Sequence, residues 1–481
     1  MPHGRSAVAE PGFRSPEGTA ASESSVDSYE VDALVVGAGI SGLAAGLELQ
    51  NHLTDVLVVD SGDRPGGVMR TDHSQGYVFE RGPNTFQVKP AMLGLLRSQH
   101  LEEALLRASP ESKSRFLLRG GDLVAVPTSP GAMVRSPLLS ARGKLRLLTE
   151  PFVRKGTGAE ETVSEFVSRR LGAEVADNLV GPFLTGIYAG DEHQLGAGAV
   201  FPSLVDAEQR SGSLALGMLG TAARRGQGQG LPGSYSGRLS GGGMGPLARA
   251  LAERLTLPVL LQRRVVSLEP REGGWSVALE GPAGTAQVRC PRVVVATSAR
   301  GAAEILGPVA DGLSQPLQSI TYAPLVSVSV GVERAEVGSR VQGFGFLVPR
   351  SERLRLLGCL FMSRLFPGRA PEGHELLQCL LGGVRAPEFV GLADDEIERA
   401  LMDELDRVLG LRGTAQVLAI TRYTMAVPQP GRDHRRVIEA LRGQLSSHPG
   451  LALAGSYLEG VGVPDSLNSG LVAADSLVGS G

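Results

Sequence analysis

The sequence predicts an α/β fold centred on a parallel sheet to which both ends of the chain contribute, and three observations predict it. Near the front, Val31-Asp32-Ala33-Leu34-Val35-Val36 runs directly into Gly37-Ala38-Gly39-Ile40-Ser41-Gly42. A second apolar run, Val56-Leu57-Val58-Val59, closes on Asp60 and is soon followed by Arg64-Pro65-Gly66-Gly67. Far along the chain lies a second glycine-rich segment, Ala454-Gly455-Ser456-Tyr457-Leu458-Glu459-Gly460-Val461-Gly462-Val463. A discontinuous domain would use such a segment to close over the ligand held by the first.

Leu34 to Val36 form the near-continuous apolar run of a parallel strand buried on both faces. Gly37 makes the tight turn, Gly39 lets the backbone approach a pyrophosphate, and Gly42 lets the next helix pack closely on the strand. That helix carries Ile40, Leu43, Ala44 and Leu47 on one face. Its N-terminus, with free N–H groups and the positive end of the dipole, favours a phosphate. Asp60, at the end of the second strand, is placed to accept from ribose hydroxyls. The segment is a Rossmann-like dinucleotide site. A nicotinamide dehydrogenase needs no Arg-x-Gly-Gly after the acidic residue, whereas many flavoproteins with two dinucleotide-type domains carry one. The expected dinucleotide is therefore FAD.

A chain of 481 residues is long enough for two or three domains. A net charge of −3 gives no electrostatic case for nucleic acid. Lysine occurs only at Lys89, Lys113, Lys144 and Lys155. The three cysteines, Cys290, Cys359 and Cys379, form no CxxC pair and suit a reducing compartment, hence a cytoplasmic location. No His and Cys cluster has metal spacing, so no metal is expected, and there is no Walker loop.

Residues 1–30, rich in Ser, Gly, Pro, Ala and Glu, are expected to be a disordered leader. They have neither the apolar core of a secretory signal nor the acid-poor composition of a mitochondrial presequence. Residues 31–90 form the first part of the FAD-binding unit: strand, helix, strand and a returning loop. Residues 91–220 are mainly helical, as at Thr162–Leu171 and Ala173–Phe183. A glycine-rich break, Gly226–Gly245, precedes a helix at Pro246–Leu255. Strands follow at Val259–Leu261, Val265–Leu268, Trp275–Leu279 and Val293–Thr297, so that 230–310 return to the FAD-binding unit. Residues 311–424 alternate strands with a helix at Asp394–Leu409 and suit a separate mixed sheet; 425–481 complete the FAD-binding unit. The longest uncharged stretch, Gly312–Val332, is interrupted by Pro316 and Pro324, alternates from Leu325 onward and is expected to be a strand, not a membrane span.

With these segments in order, the chain resembles the protoporphyrinogen oxidase family, within the larger group that includes amine oxidases and phytoene desaturases. The resemblance rests on the glycine motif and four further stretches: Glu80-Arg81-Gly82-Pro83-Asn84-Thr85-Phe86, Gly181 to Asp191, Gly343 to Pro349 and Leu365 to Pro371. It implies non-covalent FAD contacted by Gly37, Ala38, Gly39, Ile40, Ser41 and Gly42, by Asp60 and Arg64, and by Gly66, Gly67 and Val68. Gly82, Pro83, Asn84 and Thr85 would pass close to the isoalloxazine. The backbone of Val265 would meet the adenine, with plain strand core as its alternative reading. Ser456, Val461, Gly462 and Val463 would lie by the flavin ring and ribityl.

For the substrate, the resemblance implies an apolar slot with Arg115 pairing with a propionate and Leu347 and Phe366 sandwiching a macrocycle. A surface arginine and ordinary core residues are the bland alternatives. The implied reaction is threefold hydride transfer from a porphyrinogen to flavin N5, giving the porphyrin, with the chemistry borne by the cofactor and oxygen as acceptor. Protoporphyrinogen and coproporphyrinogen both carry propionates and remain alternative substrates. A carotenoid desaturase is a further alternative. Against an amine oxidase, no lysine follows Lys155 and no cysteine follows Cys379. Pro464 and Pro430 depart from the family pattern, which leaves open a catalytically weak porphyrin-binding flavoprotein. The resemblance also implies peripheral contact of the helical segment with the inner face of the cell membrane, and it admits a homodimer.

Overall fold

The computed structural model describes residues 27–156, 160–217, 236–239, 242–282, 284–411 and 415–479. Most of the expected leader and of the glycine-rich break lies outside the described residues. Along the chain, β1 (Asp27–Glu30), β2 (Ala33–Val36) and β3 (Val56–Val59) open the fold. A hairpin of β4 (Thr71–Ser74) and β5 (Tyr77–Glu80) follows, then β6 (Phe86–Gln87) and β7 (Leu105–Arg107). Next come β8 (Phe116–Arg119), β9 (Asp122–Ala125) and, beyond the helical region, β10 (Ser236–Leu239). Four strands, β11 (Arg264–Arg271), β12 (Gly274–Gly281), β13 (Gly284–Cys290) and β14 (Val293–Val295), precede β15 (Tyr322–Glu333). The last are β16 (Gly345–Leu347), β17 (Leu356–Phe361), β18 (His374–Gly382), β19 (Gln416–Pro428) and β20 (Leu451–Leu453).

The central sheet has the order β20-β14-β2-β3 and is wholly parallel, with Leu34 opposite Val293 and Leu57, and Val293 opposite Leu451. Beginning, middle and end of the chain thus meet in one sheet, as the two glycine-rich segments predict. Alternation sorts its side chains cleanly. Ala33, Val35, Val58, Val294 and Ala452 enter one core with the helices Ile40–Leu49 and Met244–Ala252 and the C-terminal helix Val463–Val478. Leu34, Val36, Leu57, Val295 and Leu453 enter the other, beneath helices Ala299–Leu306 and His434–Leu445.

A seven-stranded mixed sheet, β19-β15-β18-β17-β16-β8-β9, forms the second unit, with helix Asp394–Leu409 packed on its core. A three-stranded sheet, β6-β10-β7, lies between them in the chain path. The helical region has its own core around Leu139, Phe166, Leu184 and Val205.

Several expectations are corrected. Residues 27–30 are not leader: β1 pairs in parallel with β13. The uncharged stretch is not all strand, because Asp311–Gln318 is a helix containing Pro316 and the strand begins only at Tyr322. Val259–Leu261 makes a single bridge, Val59 to Leu260. Ala173–Phe183 is helical as expected, but the helix runs on to Tyr188 and widens to a π segment over Ala176–Val180. Pro182 lacks an N–H for the Asn178 carbonyl and its ring crowds that carbonyl, which widens the preceding turn.

Candidate active site

The first glycine motif sits where the central strands end. Gly37 N–H donates to the Val59 carbonyl at 2.7 Å, tying the turn to β3. A Cβ on Gly42 would lie 1.7 Å from the Gly37 carbonyl oxygen, so the helix start can approach the turn only as glycine. A Cβ on Gly39 meets nothing within 4 Å, which leaves an open face above its backbone. Asp60 braces this loop: its Oδ2 accepts from Ala38 N–H at 2.6 Å and its Oδ1 from Gly62 N–H at 2.7 Å. A carboxylate has further lone pairs, so ribose hydroxyls remain within its capacity.

Arg64 serves the loop that follows Asp60. Its guanidinium donates to the carbonyls of Met69 at 2.9 Å, Gly67 at 2.8 Å and Pro65 at 3.2 Å, closing its own loop. Gly66 N–H donates to the Ala38 carbonyl at 2.7 Å, and Gly67 lies against Gly39. Val68 is 53 % exposed, and a Cβ on Gly82 would fall 2.0 Å from the Val68 carbonyl oxygen. The Gly82–Thr85 segment is thereby laid across the loop. Pro83 continues it, Asn84 is buried with its Oδ1 unpartnered, and the Thr85 hydroxyl donates to the Gly237 carbonyl at 2.9 Å.

The C-terminal motif arrives at the same place. Ala454 N–H donates to the Val295 carbonyl, and Gly462 caps the sixteen-residue helix that starts at Val463. This helix packs along Ile40–Leu49, with Gly470 against the Ser41 carbonyl. Pro464 occupies the first turn, where its missing N–H breaks no helical bond but removes one free donor from the helix end. Pro430 belongs to the seam with the helical region, its carbonyl accepting from Gly196 N–H. Beside the motif opens a cavity of about 310 Å³ lined by Tyr188, Pro428, His434, Ser456 and Val461. Burial pushes the Tyr188 hydroxyl up to about 12. Val265 lies on β11, the edge strand of the sheet β1-β13-β12-β11, where it pairs with Leu279 next to a bulge at Val266.

These features fit FAD: an open glycine face at one helix N-terminus, a second helix that starts in the C-terminal motif and packs on the first, and a carboxylate at the strand end.

On the other side, Arg115 precedes β8, is exposed, and holds its Cζ 4.8 Å from the Phe344 ring centre. It has no carboxylate at ion-pair distance among the described residues. Phe346 and Leu347 pair in parallel with Phe116 and Leu117, which puts Leu347 one strand from Arg115. Leu347 packs on Gly186 of the helical region. Phe366 is only 1 % exposed, in a cluster with Tyr77, Phe79, Met362 and Leu365 against which Phe344 also packs. Its ring therefore presents no open face.

Sequence reasoning missed the polar groups around that cluster. The Arg369 guanidinium, 0 % exposed, donates to Glu80 Oε1 at 2.7 Å and to the Val78 carbonyl. Burial pushes the Glu80 carboxyl up against the opposing pull of Arg369 and Thr71. Arg238, on β10, stacks 5.0 Å from the Phe366 ring centre. The seven-residue family-like stretch at Arg369 was a signal for the first pair; nothing in the sequence singles out Arg238.

Residues 40–478 match the sequence profile of the flavin-containing amine oxidoreductases. The chain belongs to that family. It is an FAD-dependent oxidoreductase whose relatives set it with the porphyrinogen oxidases. It is 32 % identical over 457 residues to protoporphyrinogen oxidase 1 of Spinacia oleracea, covering 90 % of this chain and 81 % of that protein. It is 28 % identical over 458 residues to the coproporphyrinogen III oxidase of Bacillus subtilis, covering 92 % and 96 %. Its fold superposes on the crystal structure of an Exiguobacterium protein, provisionally named a protoporphyrinogen oxidase, with a TM-score of 0.79 at 24 % identity, over 95 % of this chain and 100 % of that one.

Proposed function

We propose that this flavoenzyme oxidises protoporphyrinogen IX to protoporphyrin IX in tetrapyrrole biosynthesis, with oxygen as the electron acceptor and FAD held without a covalent bond. The observation that carries this reading is Arg115, a guanidinium without a carboxylate, stacked on Phe344 at the rim of an apolar cluster. A planar fork of this kind binds a propionate bidentately and stays charged when partly desolvated. FAD, when bound, supplies the two-electron acceptor chemistry. The chain's own residues would do the rest. The Gly37–Gly42 loop and the Gly462 helix end hold the cofactor, and Asp60 and Arg64 fix the loops. Arg115 and Leu347 position the substrate, and Asn84 Oδ1 accepts a pyrrole N–H. Excluding water from that site matters more than any nucleophile.

Coproporphyrinogen III is the second substrate reading, supported by the likeness to the Bacillus subtilis oxidase. Anaerobic mixing with each porphyrinogen, followed by air, tests both: the substrate bleaches the bound flavin and oxygen restores its colour. Arg115→Ala should raise KM by about tenfold or more, since a charge-assisted pair contributes about 1.5–3 kcal/mol. A flavin left oxidised by both porphyrinogens overturns the reading.

A peripheral membrane position is part of the proposal. Leu145 and Leu148 on helix Ala141–Leu148, Phe152 in the turn after it, and Val134 are exposed, Phe152 by 89 %. Exposed Arg135, Arg142 and Arg154 are interleaved with them along the chain. Exposed apolar residues interleaved with arginine suit the boundary of an anionic bilayer.

A further inference from the structure

We infer that Arg238 is a second carboxylate anchor, holding a propionate of the substrate at a different edge of the macrocycle from Arg115. The inference rests on the porphyrinogen reading above and names a specificity determinant within it.

Strand alternation aims the side chain. On β10, Gly237 faces Val88 and Leu105, and Leu239 enters the core with Phe86. Arg238 therefore projects from the opposite face, where its Cζ lies over Phe366. It is 7 % exposed, yet no carboxylate lies at ion-pair distance among the described residues. Its Nη2 reaches only the Pro367 carbonyl at 3.4 Å, and its Nε has no partner.

Glu80, the acid in this neighbourhood, already accepts from Arg369, from the Thr71 hydroxyl at 2.7 Å and from Met244 N–H at 3.2 Å. One carboxylate thus stands against two buried guanidinium groups. Burial and the neighbouring Arg369 charge push Arg238 down to about 10, which leaves it protonated at neutral pH. A buried charge without a partner is costly, and such a residue marks a place where a ligand completes the pairing.

The surroundings say which ligand. Ser236 and Gly237 pair with Gln87 and Phe86, and the Thr85 hydroxyl holds the Gly237 carbonyl. Arg238 is thereby fixed to the Gly82–Thr85 segment, on which Asn84 Oδ1 is also buried without a donor. One missing partner is an anionic acceptor and the other an N–H donor. A porphyrinogen supplies both, as carboxylates and pyrrole N–H groups. Phe366 under Arg238 belongs to the apolar cluster on which Phe344 under Arg115 packs, so both guanidinium groups border one cluster.

The test crosses protein with substrate. Wild type, Arg238→Met, Arg238→Lys and Arg115→Ala are assayed on protoporphyrinogen as the free diacid and as its dimethyl ester, with flavin content and reduction potential recorded. Arg238→Met should raise KM for the diacid by about tenfold with a smaller change in kcat and little change on the ester. Arg238→Lys should recover part of the loss. Arg115→Ala should still prefer diacid to ester, a result that does not depend on Arg238→Met folding. Equal losses on diacid and ester overturn the inference, as does disappearance of the diacid preference in Arg115→Ala. A shift in flavin potential with unchanged KM would assign Arg238 to the cofactor and also overturn it. Wild type inert toward every porphyrinogen would sink the functional reading itself, a distinct outcome.

Discussion

Two glycines separate holding the fold from holding the cofactor. Gly39 adopts extended backbone that alanine also adopts, and an added Cβ meets nothing. Gly39→Ala should leave the melting temperature of the apoprotein unchanged while weakening FAD binding, because the methyl occupies the open face. Gly82→Ala should lower both, since its Cβ meets the Val68 backbone carbonyl; overpacking of this kind costs about 1–3 kcal/mol. Apoprotein melting and flavin titration of the pair check this, and equal behaviour of the two variants would refute it. Gly37, Gly42 and Asp60 were legible because their spacing alone encodes a strand, a turn and a helix start. Arg64 was legible only as a motif position; that its guanidinium closes its own loop depends on where three carbonyls point. Arg238 was not legible at all, because its isolation is created by Phe366 and Glu80, each distant in sequence.

Among the elements, local signals served well where they were complete. Helix Asp394–Leu409 appears with its expected bounds, and Thr162 caps the helix Val163–Leu171 reciprocally with Glu165. Strand β1 was invisible because its register comes from β13, far along the chain. The helical region hides a polar core: Arg170, 0 % exposed, pairs with Glu150, whose carboxylate also accepts from Ser213 and from Leu214 N–H at 2.7 Å each. Burial pushes the Glu150 carboxyl up, but the Ser213 hydroxyl, the Leu214 N–H and Arg170 outweigh it and hold it below its usual value. A depressed carboxyl stabilises the fold above its unfolded pKa and loses that contribution as pH falls through the folded one. Thermal stability should therefore drop below about pH 4. Glu150→Gln should lower stability at neutral pH by about 1–3 kcal/mol, since Arg170 then keeps only Glu208, at 3.4 Å, as an acidic partner, and should make the acid decline shallower. Melting curves across that range check both, and an unchanged acid slope would remove Glu150 from the account.

At the scale of the whole molecule, no helix among the described residues is long and apolar enough to cross a membrane. The exposed residues Leu145, Leu148 and Phe152 form the surface proposed for lipid contact. Wild-type protein should co-sediment with vesicles containing anionic lipid and less with neutral ones; Leu148→Glu with Phe152→Glu should abolish this while leaving flavin content intact. Co-sedimentation of the double variant at the wild-type level would refute the lipid contact. The sheet order β20-β14-β2-β3 has a further consequence, for biosynthesis. A nascent polypeptide exposes Val293–Val295 as an unpaired edge until Leu451–Leu453 emerge from the ribosome, and such edges invite aggregation. Flavin loading is consequently a late event, with the growing chain in need of shelter until its last strand clears the exit tunnel.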